Sequence, residues 1–468
     1  MESIQFLLIA LVVAAYMGLL ALLSVGRSRW SDRSGFFVAD HNLTWWQMGT
    51  SLFATMYSSY NVVAIVTFAA LFGLYAIIVI AGAFLGFALL YAVLGRNLTS
   101  ADVRQWTSLE HYVERRVGKT AAKGAAVVVL LLLVAFITFQ MYVNGSVLSA
   151  FLPVSPTTAM VASSVIVALY TLFGGLRASA LTDIAQAGFM GLVMLAAIFI
   201  VLGGKNAVAW DAVFSLPPAH LLLGIAAMFV AQLWTIIVQP EVWQRILASR
   251  TQKDAASGLV FGSVLAFIFV LPLVLVGVMA GALANTGLPQ GAEFITLAQQ
   301  YVPQWFLPLL AVGIIAAFMS TLDSSLAAFG AYFAKWIGAP HSLSVARWAI
   351  VGVLALAGTF TFFLQSLLSA VLQIVAIAAI PGALLMGEYI VRRLRPDTPV
   401  SETAFTVGLG VGVAVFFLGS YAGWFGQDPM WSLVPPVAAV LVFAAGELLS
   451  RLKAREQGAE AGSGNVAV

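Results

Sequence analysis

The sequence predicts an all-α polytopic membrane protein, and three observations predict it. Of 468 residues, 62% are hydrophobic and only 9% charged, a balance no soluble domain shows. Mean hydropathy is +1.00. Apolar stretches of about twenty residues or more recur along the chain, each long enough to cross the hydrocarbon core as a helix. The chain has no cysteine, which removes disulfides and thiolate metal sites. The four histidines fall near segment ends or in loops, which argues against a histidine-ligated redox centre. No nucleophile–base pair and no phosphate-binding glycine loop is present, so the chain does not read as an enzyme. The net charge of +3 carries no nucleic-acid signal, because the basic residues follow topology.

About thirteen spans are expected, at roughly 3–25, 42–71, 74–95, 121–151, 155–173, 178–203, 217–245, 256–285, 304–336, 344–364, 366–391, 403–425 and 430–450. With the N-terminus outside and the C-terminus cytoplasmic, every Lys and Arg but Lys205 falls on the cytoplasmic side, Arg245 included. That is the bias of the positive-inside rule, and adding or dropping an interior span would scatter it. The first stretch is followed by arginines and lacks a small-residue cleavage site, so it reads as a retained helix rather than a signal peptide. Loops leave no room for a second domain. TSLEHYVERRVGK (residues 107–119) reads as a short amphipathic interfacial helix, and residues 457–468 have the composition of a disordered tail.

The ninth span holds the most polar stretch, GIIAAFMSTLDSS (residues 313–325). At 100° per residue Ala317, Ser320, Thr321 and Ser324 share one narrow arc, with Asp323 about 60° beyond Ser320. Hard oxygen donors suit a hard cation, and a carboxylate at membrane depth marks a functional site by default. A single hydroxyl would do no more than bond back one turn; a stripe with a carboxylate needs a partner. The second span carries Thr55, Tyr57, Ser58, Ser59, Tyr60 and Asn61 in its middle, a patch that suits an unwound helix lining a cavity. The seventh carries Gln232, Thr235 and then Gln239-Pro240-Glu241. Two interrupted spans, five apart, are the signature of an inverted-repeat secondary transporter with its site where the breaks meet. The expected units are an extra N-terminal helix and loop (1–41), two five-helix repeats (42–203 and 204–395), two extra C-terminal helices (396–456) and the tail (457–468). In the sixth span Asp183 lies six residues after Arg177, on the opposite helix face, and is expected to face the polar stripe instead.

Four motifs in this order resemble the sodium/solute symporter family, the group of the proline, sialic acid and sodium/glucose cotransporters: TSLEHYVERRVGK, FGGLRASALTDIAQ (173–186), QPEVWQRILASRTQKDA (239–255) and AAFMSTLDSSL (316–326). The resemblance covers roughly residues 5–395. It implies a leucine-transporter-type fold of two inverted five-helix repeats with extra terminal helices, working by alternating access on a sodium gradient. It implies a main sodium site from the carbonyls of Ala54, Tyr57 and Ala317 and the hydroxyls of Ser320 and Thr321. Five neutral oxygens suit a weakly held monovalent ion that must be released in each cycle. Some members have a second cation site, which maps to Asp183, Ser320, Asp323 and Ser324. Asp323 stands where two-sodium members carry a hydroxyl, so one or two sodium ions remain open, and so does a proton.

The sugar members of that family draw their pocket amides from the two interrupted spans and the eleventh, and the resemblance implies Asn61, Gln232 and Gln373 in those places, with Tyr57, Tyr60, Trp234, Thr235, Gln140 and Asn144 as further candidates. The position of the sugar-binding glutamate of sugar carriers falls near Ile80, in an apolar run, which disfavours sugar. No Lys or Arg is expected at mid-span. The expectation is therefore sodium-coupled import of a small neutral or zwitterionic, amino-acid-like solute across a plasma membrane. No nucleic acid and no obligate protein partner is implied. The alternatives are a proton-coupled or uniporting carrier on the same fold, kept open by Asp183 and Asp323, and a membrane solute sensor.

Overall fold

The computed structural model describes residues 33–94, 106–152, 154–204, 219–283, 293–364, 366–395, 399–426 and 428–463, with positions 11, 15, 16 and 18. Among the described residues the regular structure is helical, with a lone bridge between Leu43 and Ser249. Among the described residues, ten helices are long and apolar enough to cross a membrane. The expected span 3–25 lies almost entirely outside the described residues.

In chain order the helices are α1 (Arg33–Val38), α2 (Trp45–Met56), α3 (Ser59–Phe72), α4 (Ala76–Leu94), α5 (Leu109–Arg116), α6 (Lys119–Phe151), α7 (Pro156–Gly204) and α8 (Ala219–Val238). They continue with α9 (Pro240–Ala248), α10 (Gln252–Ala282), α11 (Glu293–Tyr301), α12 (Leu307–Trp336), α13 (Leu343–Phe360), α14 (Leu367–Leu394), α15 (Glu402–Tyr421) and α16 (Val434–Ser463). At 1.5 Å per residue α7 would be about 70 Å long, too long for one crossing. Gly175 breaks it: its φ of 55° is open to glycine and strained for other residues. A Cβ there would also lie 2.6 Å from the Phe36 carbonyl oxygen of α1.

The second and seventh expected spans are both interrupted. Between α2 and α3 the chain leaves helical geometry at Tyr57 (φ −84°, ψ 61°). Between α8 and α9 it does so at Gln239 (φ −56°, ψ 112°), followed by Pro240 as the first residue of α9. Proline lacks an N–H, disfavours helix at its predecessor and suits the first helical turn, so Pro240 marks the end of α8 and the start of α9. The start of the first interrupted segment is tied to the end of the second and the turn into α10. Leu43 N–H donates to the Ala248 carbonyl (3.0 Å), Arg250 N–H to the Leu43 carbonyl (2.9 Å), and Trp45 N–H to Asp254 Oδ1 (3.0 Å).

α12 is the central helix. Every residue from Leu310 to Tyr332 is buried, and α12 packs on α6, α7, α2 and α9. By contrast α13 leaves Trp348, Val351 and Leu356 exposed, as a lipid-facing helix does. α10 lies against α2 and α3, and α8 against α4 and α14. The α2–α10 contact is close because Gly258 and Gly262 face Gly49: a Cβ on Gly262 would be 2.5 Å from the Gly49 carbonyl oxygen. Glycines four apart allow such an approach between membrane helices.

Residues 107–119 contain the expected short helix, α5, whose Leu109, Glu110, Tyr112 and Val113 are buried against the bundle. One expectation is corrected. The segment expected to be a disordered tail is helical as far as Ser463; its Ala and Glu residues are good helix formers with no proline to stop them. Residues 464–468 lie outside the described set.

Candidate functional site

The polar residues of α12 separate into two oxygen clusters. The first faces the end of α2. Thr321 Oγ1 lies 3.1 Å from the Thr55 carbonyl and 3.3 Å from that of Ala317. Ala54, Tyr57 and Ala317 are fully buried beside it, with Thr321 at 4% exposure. Ala54 is in the last turn of α2 and Tyr57 is its C-cap. The last carbonyls of a helix lack intrahelical partners and carry the negative end of its dipole. Tyr57 is held by its ring, stacked on Phe53 (5.6 Å) and edge-on to Phe269 (5.5 Å), which leaves its main chain to face the break. The donor set is all neutral oxygen, and it suits a weakly held monovalent cation.

The second cluster faces α7 and α9 and is charged. Arg245 Nη2 lies 2.7 Å from Asp183 Oδ2, and both side chains are 0% exposed. The same guanidinium donates through Nε to Ser51 Oγ (2.8 Å), through Nη2 to Ser324 Oγ (2.7 Å) and through Nη1 to the Glu241 carbonyl (3.0 Å). Ser51 donates to Asp183 Oδ2 and Ser320 to Asp183 Oδ1, each at 2.5 Å. Asp323 accepts from Tyr170 OH (2.7 Å) and Ser179 Oγ (2.8 Å), with Thr182 Oγ1 at 3.4 Å. Glu241 accepts from Ser325 Oγ (2.6 Å) and Gln239 Nε2 (3.1 Å).

This corrects the charge reading. Arg245 was counted among the cytoplasmic charges, at the end of the seventh expected span, and no Lys or Arg was expected at mid-span; its side chain is buried and paired with Asp183. Counting basic residues assigns a side of the membrane and carries no signal of burial, so it could not reveal the pairing. Arg177, six residues before Asp183, pairs instead with Asp40 at 3.2 Å. Sequence reasoning also missed Ser51, Tyr170, Ser179, Thr182 and Glu241. The one available signal was the spacing of Glu241 and Arg245, four apart on one face just after Pro240.

A cavity of about 110 Å³ adjoins the first cluster. Thr55, Ser58, Gln232, Thr235, Gln239 and Thr321 line its polar side, and Phe68, Phe84, Phe87, Phe136 and Ile80 are among its apolar walls. Of the expected substrate residues, Gln232 and Thr235 line this cavity. Thr235 Oγ1 donates to the Ala231 carbonyl (2.9 Å). Gln373 and Trp234 do not line it: Gln373 donates to Ser369 Oγ (3.1 Å), and the Trp234 carbonyl abuts Gly382. Gln140 and Asn144 are buried away from it, with Asn144 Nδ2 donating to Ser163 Oγ (2.5 Å). The side chains of Tyr60 and Asn61 lie outside the described residues.

This helical architecture, with two interrupted segments meeting at a polar centre, is that of a leucine-transporter-type carrier. A model of the sodium:solute symporter family matches residues 36–338, and the chain belongs to that family. It is 25% identical over 259 residues to a sodium/pantothenate symporter of Haemophilus influenzae, covering 51% of this chain and 52% of that one. It is 26% identical over 366 residues to a sodium/glucose cotransporter of Vibrio parahaemolyticus (68% and 65%). The chain thus spans about half to two thirds of these relatives. Among solved structures, a Na+-coupled sialic acid symporter in a substrate-bound outward-open state aligns with a TM-score of 0.75 at 18% identity (94% of this chain, 98% of that one). A nucleobase-cation-symport-1 family transporter in a closed conformation aligns with a TM-score of 0.56 at 14% identity (92% and 97%).

Proposed function

We propose that the chain is a sodium-coupled symporter that imports a small neutral or zwitterionic, amino-acid-like solute by alternating access across a plasma membrane. The observation that carries this reading is shared lining. Thr55 and Thr321 border both the neutral oxygen cluster and the cavity between the two breaks, so an ion and a solute would bind side by side. The sodium ligands are the carbonyls of Ala54, Tyr57 and Ala317 and the hydroxyls of Ser320 and Thr321. Gln232 and Thr235 contact the solute, with Asn61 and Tyr60 from the first break and Gln373 and Trp234 entering on closure. The spans number about thirteen, N-terminus outside and C-terminus cytoplasmic, and residues 42–203 and 204–395 form the two inverted repeats.

The cavity's character supports the solute class. No charged side chain is among its described lining residues, and Ile80 stands in the wall. At about 10–15 Å³ per water-sized group, it accommodates roughly seven to eleven heavy atoms. A solute of that size with one polar end suits Gln232 and Gln239 on one side and phenylalanines on the other.

Sodium acts by binding the outward-open form better than the inward-open one, since a ligand shifts an equilibrium only by its differential affinity. Loosening of α12 at Ser320 and Thr321 then releases the ion inward. The far end of α12 is bolted to α5: Tyr332 OH accepts from Leu109 N–H (3.0 Å), and Lys335 pairs with Glu114 (2.8 Å). Opening inward must break these contacts.

The test is a thermal-stability screen of purified protein against amino acids, sugars, carboxylates and vitamins, in sodium or in choline at matched ionic strength. A solute that stabilises only in sodium supports symport, because a ligand of the folded state raises its stability by mass action. Gln232→Leu should weaken that solute about tenfold, the loss of roughly one hydrogen bond, and leave sodium binding unchanged. Equal stabilisation in both salts, with a pH dependence, would favour a proton-coupled or uniporting carrier, with Asp323 as its carboxylate.

A further inference from the structure

We propose that the second cation position, at Asp183, Ser320, Asp323 and Ser324, is filled by the chain's own guanidinium, Arg245, so that the protein binds one sodium ion per cycle. The inference rests on the sodium-coupled reading above and fixes its stoichiometry. Within it, Asp183 is a positioning residue for the sodium ligand Ser320, not a ligand itself.

The hydrogen bonds leave little room for a second ion. Asp183 has both oxygens engaged: Oδ2 by Arg245 Nη2 (2.7 Å) and Ser51 Oγ (2.5 Å), Oδ1 by Ser320 Oγ (2.5 Å). Ser324 Oγ accepts from Arg245 Nη2 (2.7 Å) and donates to the Ser320 carbonyl (2.8 Å). Asp323 receives its donors from α7, through Tyr170 and Ser179. A sodium ion placed among these oxygens would sit within a few ångströms of a guanidinium that is fully buried and has no water to retreat to. Like charges that close repel strongly in a medium of low dielectric constant. Expelling Arg245 is no easier, since every residue of α9 is buried and an unpaired buried charge is heavily penalised.

The same bonds show what Asp183 does. A serine hydroxyl has one proton and two lone pairs. Ser320 gives its proton to Asp183, which turns both lone pairs away from the carboxylate and leaves them free for a cation beside Thr321. Arg245 in turn holds Asp183 in place. Partners behind a metal ligand typically contribute 10–100-fold to affinity.

The experiment is equilibrium binding of radioactive sodium to purified wild-type protein in lipid nanodiscs, with choline as the balancing salt. The expected result is one ion per chain and a Hill coefficient of 1, in a site that Thr321→Ala weakens about tenfold or more. Two ions per chain overturn the inference and leave the sodium-coupled reading standing; no sodium binding takes down both. A double-mutant cycle on sodium affinity then tests the positioning role. Asp183→Asn and Ser320→Ala should each weaken binding about tenfold, and the double variant no more than either alone, because Asp183 acts through Ser320. Additive losses, which a direct ligand would give, overturn that role. Where Asp183→Asn does not fold, the wild-type ion count decides.

Discussion

Thr321 and Asp323 lie two residues apart on α12, yet they face opposite chemistry. Thr321 looks across to the end of α2, into a set of neutral oxygens beside an open cavity. Asp323 looks across to α7, into a set of hydroxyls next to an arginine–aspartate pair with no exposure at all. Both clusters are oxygen-rich and buried. The first is built of neutral oxygens with no charged side chain among them, which is why it is the one proposed to exchange an ion. The second has donors matched to acceptors, so it holds helices together. A symporter needs both: a site loose enough to release its ion in each cycle, and a rigid reference beside it against which the loosening is felt.

Breaking the closed cluster should have the largest effect. Arg245→Ala would leave Asp183 buried without its counter-charge, and removing one member of such a pair costs about 3–5 kcal/mol. The variant should lose most of its folded yield or show a large drop in melting temperature on fluorescence-detected size exclusion. A wild-type melting temperature would mean that the pair is not buried as described.

A smaller perturbation of the same cluster sharpens the contrast. Tyr170→Phe deletes one donor to Asp323 and should destabilise by about 1–3 kcal/mol, with sodium affinity unchanged. A matched loss of sodium affinity with preserved stability would show that Asp323 belongs to the exchanging site after all.

The smallest effect is expected on helix α5, whose Glu110 and His111 belong to neither cluster. Burial, opposed by Lys335, pushes the Glu110 carboxyl up to about 7. Burial, helped by Lys335, pulls the His111 imidazole down to about 4. The folded protein therefore holds the Glu110 proton more tightly than the unfolded chain does, so this group's contribution falls as pH rises from about 4.5 to 7 and is flat above. His111 works the other way: the unfolded chain binds its proton more tightly, so stability falls as pH drops from about 6.5 to 4. Glu110→Gln should be more stable than wild type at pH 8 and indistinguishable from it near pH 4.5, as read from melting temperatures at the two pH values. Equal differences at both would show that Glu110 does not titrate in this range.

Much of the helical architecture was legible because membrane helices write themselves in long apolar runs, and the two interruptions because polar residues and Pro240 stand where apolar ones belong. The stripe Ala317, Ser320, Thr321 and Ser324 was legible from helical periodicity alone. Arg245 was not. Its neighbours in sequence, Gln244 and Arg250, look like those of a loop, and only the fold brings α9 inside, against α2 and α12. Tyr170, Ser179 and Thr182 escaped for a related reason. Each is an ordinary residue for a membrane helix, and its role comes from Asp323, some 140 to 150 residues further along the chain. Gln373, placed in the pocket by the family resemblance, lies outside the cavity in this structure, with a local bond to Ser369 Oγ.

The central claim is that sodium binds at the neutral cluster between α2 and α12. The direct measurement is the rise in melting temperature of wild type and Thr321→Ala as sodium replaces choline at constant ionic strength. The account predicts a saturable rise in wild type, displaced to about tenfold higher sodium in Thr321→Ala, with the two proteins melting alike in choline. A sodium response in Thr321→Ala identical to that of wild type would contradict it.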